Sequence, residues 1–236
     1  MSKYVYFFGG GKADGNKDMK DTLGGKGAGL AEMTNAGLPV PPGFTLSTQA
    51  CHIYSEQGSL TQGIEDEFDA ALSQLESLVG QKLGDPDNPL LLSVRSGAKF
   101  SMPGMMDTVL NLGMNDTSVK GLAKAAGERF AYDSYRRFLQ MFGDVVLEVG
   151  KPLFEKVLDK IKKSKGAKSD TDLDAEAMKE VVEGFKALVK EKTGKDFPQD
   201  ARDQLRMSRD AVFQSWNNPR AIEYRSIYHI SHDLGT

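Results

Sequence analysis

Arg95 closes the apolar run PLLLSV and opens RSGAKFSMPGMMDT, residues 95–108, which crowds two glycines, two serines and three methionines together. A guanidinium at the end of a buried strand is costly without an anion, so Arg95 needs a partner: a carboxylate of the chain or a ligand. The residues around it suit phosphate oxygens, with hydroxyls on Ser96, Ser101 and Thr108 and bare backbone N–H groups around Gly97 and Gly104. Met102, Met105 and Met106 read as adaptable packing. A second stretch, GGKGAG at 24–29, opens a helix. Its amides and positive dipole end could hold a phosphate while Lys26 supplies a point charge. The spacing matches neither the P-loop nor the dinucleotide fingerprint. Lys12, after Gly9–Gly11, has a weaker claim. Arg136 and Arg137 lie together in the aromatic segment YDSYRRF, and one of them could face an anion; the residue types do not choose between them. His52, His229 and His232 form no metal-ligand pattern, and Cys51 is the only cysteine, which excludes an intramolecular disulfide and a cysteine-based zinc site.

The elements that must position these residues follow from periodicity. YVYFF (4–8) is a strand closed by glycines. The next segment is a short helix with Leu30, Met33 and Ala36 along one side, ended by Gly37. LPVPPGFTLST gives an extended entry to a short strand, with Ser47, Thr48 and Gln49 starting another helix. Phe68, Ala71, Leu72, Leu75, Leu78 and Val79 repeat at helical spacing. LLLSV (90–94) is a buried strand by its length, and TVLNL (108–112) pairs with it, so the methionine loop hangs between two strands. After residue 113 helical periodicity takes over: Phe130 to Val146, Leu153 to Ile161, then a helix capped by Asp174 with Leu173 and Met178 as a hydrophobic staple. DARDQLRMSRDAVFQSW (200–216) is a further helix, broken at NNPRA. The fold class is therefore α+β, a mixed-sheet subdomain of 1–112 and 198–236 interrupted by a helical insertion at 113–197.

Composition narrows the function. Thirty basic and 33 acidic residues leave a net charge of −3, without a cationic field for nucleic acid or anionic lipid. No segment approaches the roughly 20 apolar residues of a membrane span. The N-terminal MSKYVYFFGGGKADG lacks a signal peptide's apolar core, and a cytoplasmic location is expected.

LGGKGAGLAEM, GLPVPPGFTLST, LLLSVRSGAKFSMPGMMDTVLNLGMND, RFAYDSYRRFLQMF and WNNPRAIEYR together resemble the N-terminal region of the pyruvate, phosphate dikinases over essentially the whole chain. The resemblance implies the first part of an ATP-grasp nucleotide-binding domain carrying a helical insertion. It implies that the intact enzyme converts ATP, phosphate and pyruvate to AMP, diphosphate and phosphoenolpyruvate, with a histidine on a swivelling domain carrying the phosphoryl group. Lys26 and Arg95 would contact the nucleotide phosphates and Arg137 would approach the transferred phosphoryl group. The loop Ser101–Thr108, including Gly104 and Asp107, would close over the triphosphate. Mg²⁺ would sit between these groups, its ligands expected in a second ATP-grasp half after the final GT. The resemblance further implies docking of the phosphohistidine domain and a homodimeric full-length enzyme. The chain departs from the family's RSGARASMPG at Lys99 and Phe100. The expectation is a truncated ATP-binding piece that is inactive alone. The alternatives are a stand-alone ATP-grasp-like binding or regulatory module, or a piece of pyruvate, water dikinase, which SMPGMMDT disfavours.

Overall fold

The computed structural model describes residues 3–236. In chain order the elements are β1 (Val5–Gly9), β2 (Lys12–Ala13), α1 (Lys20–Asn35), β3 (Gly43–Leu46), α2 (Thr48–Gln57), α3 (Gln62–Val79), β4 (Lys82–Leu83), β5 (Pro89–Leu90), β6 (Leu92–Arg95) and β7 (Thr108–Leu112). Then come α4 (Ser118–Ala126), α5 (Glu128–Val145), α6 (Lys151–Lys165), α7 (Ala175–Thr193), α8 (Ala201–Gln214) and α9 (Pro219–Ile227), with short 3-10 turns at Asp170–Asp172, Ser215–Asn217 and His232–Leu234. This is an α+β chain, and it divides into two compact units.

The first unit holds the residues up to Gly80, Arg95–Asp107 and Val212–Thr236. Its sheet runs β2-β1-β3 and is antiparallel throughout, with Val5 opposite Leu46, Phe8 opposite Gly43 and also opposite Ala13. The mixed sheet expected for this part is therefore not found; the parallel pairing, β4 with β5, belongs to the second unit. Alternation along β1 puts Val5 and Phe7 in the core, and α3 covers the strand. Phe68 of α3 meets Phe44 of β3 edge-on at 5.3 Å, and both Tyr4 N and Val5 N donate to one Glu67 carboxylate oxygen at 2.9 Å. Leu78, placed on the apolar stripe by spacing, is 47% exposed. Ser47 caps α2 by accepting from Ala50 N at 3.2 Å. Cys51 is buried in a cluster with Tyr54, Ile64 and Phe213, and burial holds its thiol pKa above the ordinary value.

The second unit comprises Gln81–Val94 and Thr108–Ala211. It is wider than the 113–197 insertion drawn from composition. The loss of glycine marks where helices begin, but apolar strand faces need helices to cover them: Val109 and Leu112 of β7 are fully buried, with β7 against α5 and β5 against α4. Gln204 of α8 donates to the carbonyls of Met114 and Pro198 at 3.1 and 2.8 Å, drawing 198–211 into the same unit. The single strand expected over 90–94 is two short strands, broken between Leu90 and Leu92, and β6 alternates half-buried with exposed residues instead of being fully buried. Phe138, Phe142 and Phe197 pack ring to ring, as do Phe154 and Phe185 at 5.0 Å. Phe130 sits outside this stripe, 56% exposed. Asp174 caps α7 by accepting from Ala177 N at 2.8 Å, with Leu173 and Met178 both buried. Among the described residues no helix is long and apolar enough to cross a membrane.

Candidate functional site

The stretches 24–29 and 95–107 lie backbone to backbone in the first unit, and glycine is what permits it. α1 begins at Lys20 and kinks at Gly24, where φ is 66° and ψ is −179°, a conformation that is essentially glycine's alone. A Cβ on Gly24 would overlap the carbonyl of Gly97 outright, and one on Gly27 would come within 2.9 Å of the Thr45 methyl on β3. Gly25 N donates to Ala98 O at 3.1 Å. The same close approach inverts the expected helix face. Small residues, Ala28, Ala31 and Thr34, point inward beside Leu23, while Met33 is 39% exposed. Gly37, at φ 77°, ends the helix as expected.

This apposition brings two cations to one place. Lys26 is exposed on α1, and its Nζ donates to Ser96 O at 2.9 Å. Partial burial of the amine and then the neighbouring Arg95 charge hold the Lys26 pKa below its ordinary 10.5. Arg95 itself is exposed, against the expectation of a buried guanidinium, and among the described residues it meets no carboxylate. Two like charges together, neither paired with a carboxylate among the described residues, attract anions. Lys99 is different: its amine is bound by Asp21 and lies 5.9 Å over the Phe100 ring.

The expected supply of free amides is only partly met. Gly25 N is taken by Ala98 O, and Gly97 N donates to Thr236 Oγ1 at 3.2 Å. The loop beyond is open: Ser101 and Gly104 are exposed, Gly104 has φ 74°, and a Cβ there would meet nothing within 4 Å. Met102 is buried, the anchor among the three methionines. Asp107 lies at the loop's far end and its carboxylate is occupied. Asn218 Nδ2 donates to Oδ2 at 3.0 Å, Arg220 donates to Oδ1, and Asp107 N donates to Ser215 Oγ at 3.3 Å. Arg220 Nε also donates to Met105 O at 2.9 Å. The residues of WNNPR thus clamp the loop, a role that sequence reasoning missed because NNPRA reads only as a helix break. Farther on, Arg225 is buried against the Trp216 ring at 3.9 Å, donating to Trp216 O and to His232 Nδ1.

Thr108 is half-buried and begins β7 in the second unit, where Arg137 also lies. The two arginines of α5 differ in burial and in partners. Arg136 is 4% exposed and donates to Asp133 at 2.7 Å and Asp170 at 2.9 Å. Arg137 is the outward one, 58% exposed, with Asp133 at 3.1 Å. A hollow of about 350 Å³ in this unit is lined by Arg136, Lys151, Glu155, Asp159, Lys162 and Asp170 among others, and its cations are matched by carboxylates. It offers no unmatched charge. Among the described residues no group of three His, Cys, Asp or Glu could hold a metal ion.

Comparison with known proteins gives this arrangement a family. The family described as "Pyruvate phosphate dikinase, AMP/ATP-binding domain" matches residues 20–79 and 63–235. The chain belongs to that family. It is 54% identical over 239 residues to pyruvate, phosphate dikinase of Clostridium symbiosum, covering all of this chain and 27% of that protein. It is 56% identical over 235 residues to the chloroplastic enzyme of Mesembryanthemum crystallinum, covering 99% of this chain and 25% of that protein, and 56% identical to pyruvate, phosphate dikinase 2 of Oryza sativa subsp. japonica. The chain thus spans about a quarter of the length of these dikinases. They include chloroplastic and bacterial forms, so membership of the dikinase family does not fix a compartment.

Proposed function

We propose that this chain is the nucleotide-binding part of a pyruvate, phosphate dikinase, built on the first portion of an ATP-grasp domain. The whole protein would convert ATP, phosphate and pyruvate to AMP, diphosphate and phosphoenolpyruvate. The observation that carries the reading is the meeting of Lys26 and Arg95, from stretches some 70 residues apart, with no carboxylate on Arg95 among the described residues. Phosphoryl transfer asks little covalent chemistry of a protein; it asks for positive charge held where negative charge develops on phosphate oxygens. Lys26 and Arg95 would hold the nucleotide phosphates. Lys26 Nζ, now on Ser96 O, would exchange that carbonyl for a phosphate oxygen. Ser101 and Gly104, on an open loop fixed at its Asp107 end, would close over the triphosphate, with Thr108 at its exit. Arg137, exposed on α5, would reach the transferred phosphoryl group.

The residues present do not fit a protein-held Mg²⁺. Asp21 is bound to Lys99, Asp107 to Arg220 and Asn218, and neither belongs to a cluster of metal-binding side chains. In the reading proposed here the metal's ligands come from the ATP-grasp half that follows in the dikinases, as do the phosphohistidine domain that docks here and the homodimer interface. None of His52, His229 and His232 stands in a motif of a phosphocarrier, and the 236-residue chain is expected to bind ATP weakly and form no phosphoenolpyruvate.

Calorimetric titration with ATP tests the reading. One charge-assisted contact is worth about 1.5–3 kcal/mol, roughly 10- to 150-fold in affinity. Arg95→Ala should therefore remove most of the binding heat. Equal affinity of the native chain and the Arg95→Ala chain would overturn the assignment.

A further inference from the structure

We infer that Lys26 is a site of covalent acylation by acyl phosphates, which dock their phosphate on Arg95 and transfer their acyl group to the lysine. The inference rests on the reading of Lys26 and Arg95 as an anion site, and extends it from binding to chemistry.

Three features of the geometry point there. Lys26 is exposed, so a reagent of modest size reaches it, yet its Nζ is held in one place by the Ser96 carbonyl at 2.9 Å. Carbonyl acceptance keeps the amine on the side of α1 that faces 95–99 instead of letting it sweep through solvent. Arg95, one residue from that carbonyl, offers a guanidinium without a carboxylate partner among the described residues, a ready dock for a phosphate monoester. The third cation of the stretch, Lys99, is paired with Asp21 instead of standing beside Arg95 unpartnered. The amine's proton affinity is lowered by its partial burial and by Arg95, so a larger share of it is neutral at a given pH than on an ordinary surface lysine.

The step balances without a further reactant. The Nζ lone pair attacks the acyl carbon, and a tetrahedral adduct collapses with cleavage of the carbon–oxygen bond to phosphate. Inorganic phosphate leaves carrying that electron pair, the nitrogen loses a proton to water, and an amide remains on Lys26. Docking the phosphate makes the attack intramolecular in effect, which raises the rate over that of lysines met only by collision. The product has lost the lysine's charge and its donor capacity toward phosphate, so acylation would shut the anion site.

The test incubates the chain with acetyl phosphate and reads acetylation at each lysine by peptide mass spectrometry. Lys26 is expected to react at least about fivefold faster than the exposed lysines Lys12, Lys156 and Lys160. Arg95→Ala should bring Lys26 down to their rate. Acetic anhydride, an uncharged donor, supplies the control: with it, Arg95→Ala removes only the neighbouring charge that favours the neutral amine, and should slow Lys26 at least about threefold less than it does with acetyl phosphate. Lys26 reacting no faster than the other three, or Arg95→Ala slowing both donors alike, would overturn the inference. Protection of Lys26 by ATP supports both readings. Arg95-dependent acetylation that ATP fails to block would uphold the inference and remove the nucleotide assignment, whereas ATP binding in calorimetry without preferential acetylation would do the reverse.

Discussion

Two glycines of α1, five residues apart, should respond to the same substitution with opposite signs. At Gly24 an alanine would have to adopt φ 66° and ψ −179°, which costs about 1–3 kcal/mol. Its methyl would also overlap the Gly97 carbonyl, and the atoms in the way are backbone, not a flexible side chain. Forcing the two loops apart adds about 1–3 kcal/mol of packing strain and weakens the bond from Gly25 N to Ala98 O. The total, about 2–6 kcal/mol, is a large part of a typical domain's stability of about 5–15 kcal/mol. Gly29 lies inside the same helix, and a Cβ there would meet nothing within 4 Å. Gly29→Ala should therefore stabilise, by about 0.5–1 kcal/mol, through the helix propensity of alanine and the lost freedom of the unfolded chain. Equilibrium urea unfolding followed by the fluorescence of Trp216, the chain's single tryptophan, reads the first unit directly. A midpoint for Gly24→Ala equal to that of the native chain would refute the backbone apposition on which the site is built. So would a Gly29→Ala chain destabilised as much as Gly24→Ala.

Two other perturbations probe the loop and the helical unit. Arg220→Ala removes the donors to Met105 O and Asp107, and should speed amide exchange at Met105 and Asp107 about fivefold, with Arg220→Lys between it and the native chain; unchanged exchange would show that the clamp does not order the loop. Asp170 has its carboxyl pKa below the ordinary 3.8: burial alone would raise it, but Lys162 and Arg136 together more than offset that. A depressed folded-state pKa contributes stability at pH above the unfolded value, lost as pH falls through the folded one. Asp170→Asn should thus lower thermal stability at neutral pH, and the difference from the native chain should shrink below pH 3.8; a constant difference across that range would contradict the pairing.

Much of this was legible in the sequence because local signals and burial agreed. Ser47 and Asp174 cap the helices their positions announce, β1 and β3 fall where aromatic and β-branched residues cluster, and β6 pairs with β7 around the methionine loop. What failed to show was long-range. Met33 and Leu30 mark the apolar side by hydropathy, but the backbone contact at Gly24 and Gly27 turns the small side inward, and no hydropathy pattern encodes that. The apolar run before Arg95 predicts a buried guanidinium, yet β6 is a half-exposed strand and its last residue points to solvent. The partner of Asp107 is Arg220, 113 residues away, and a pair so distant leaves no mark in a single sequence. Of the arginine pair on α5, helical phase puts one inside and one outside, but only the carboxylates of Asp133 and Asp170 decide which.

The central claim, one cradle for a polyanion made by Lys26 and Arg95, is tested most directly by a crystal structure of the chain grown with ATP. Phosphate oxygens should lie within hydrogen-bond distance of both Lys26 Nζ and the Arg95 guanidinium, with the lysine released from Ser96 O. Phosphates seated elsewhere, with Lys26 still on that carbonyl, would contradict the account.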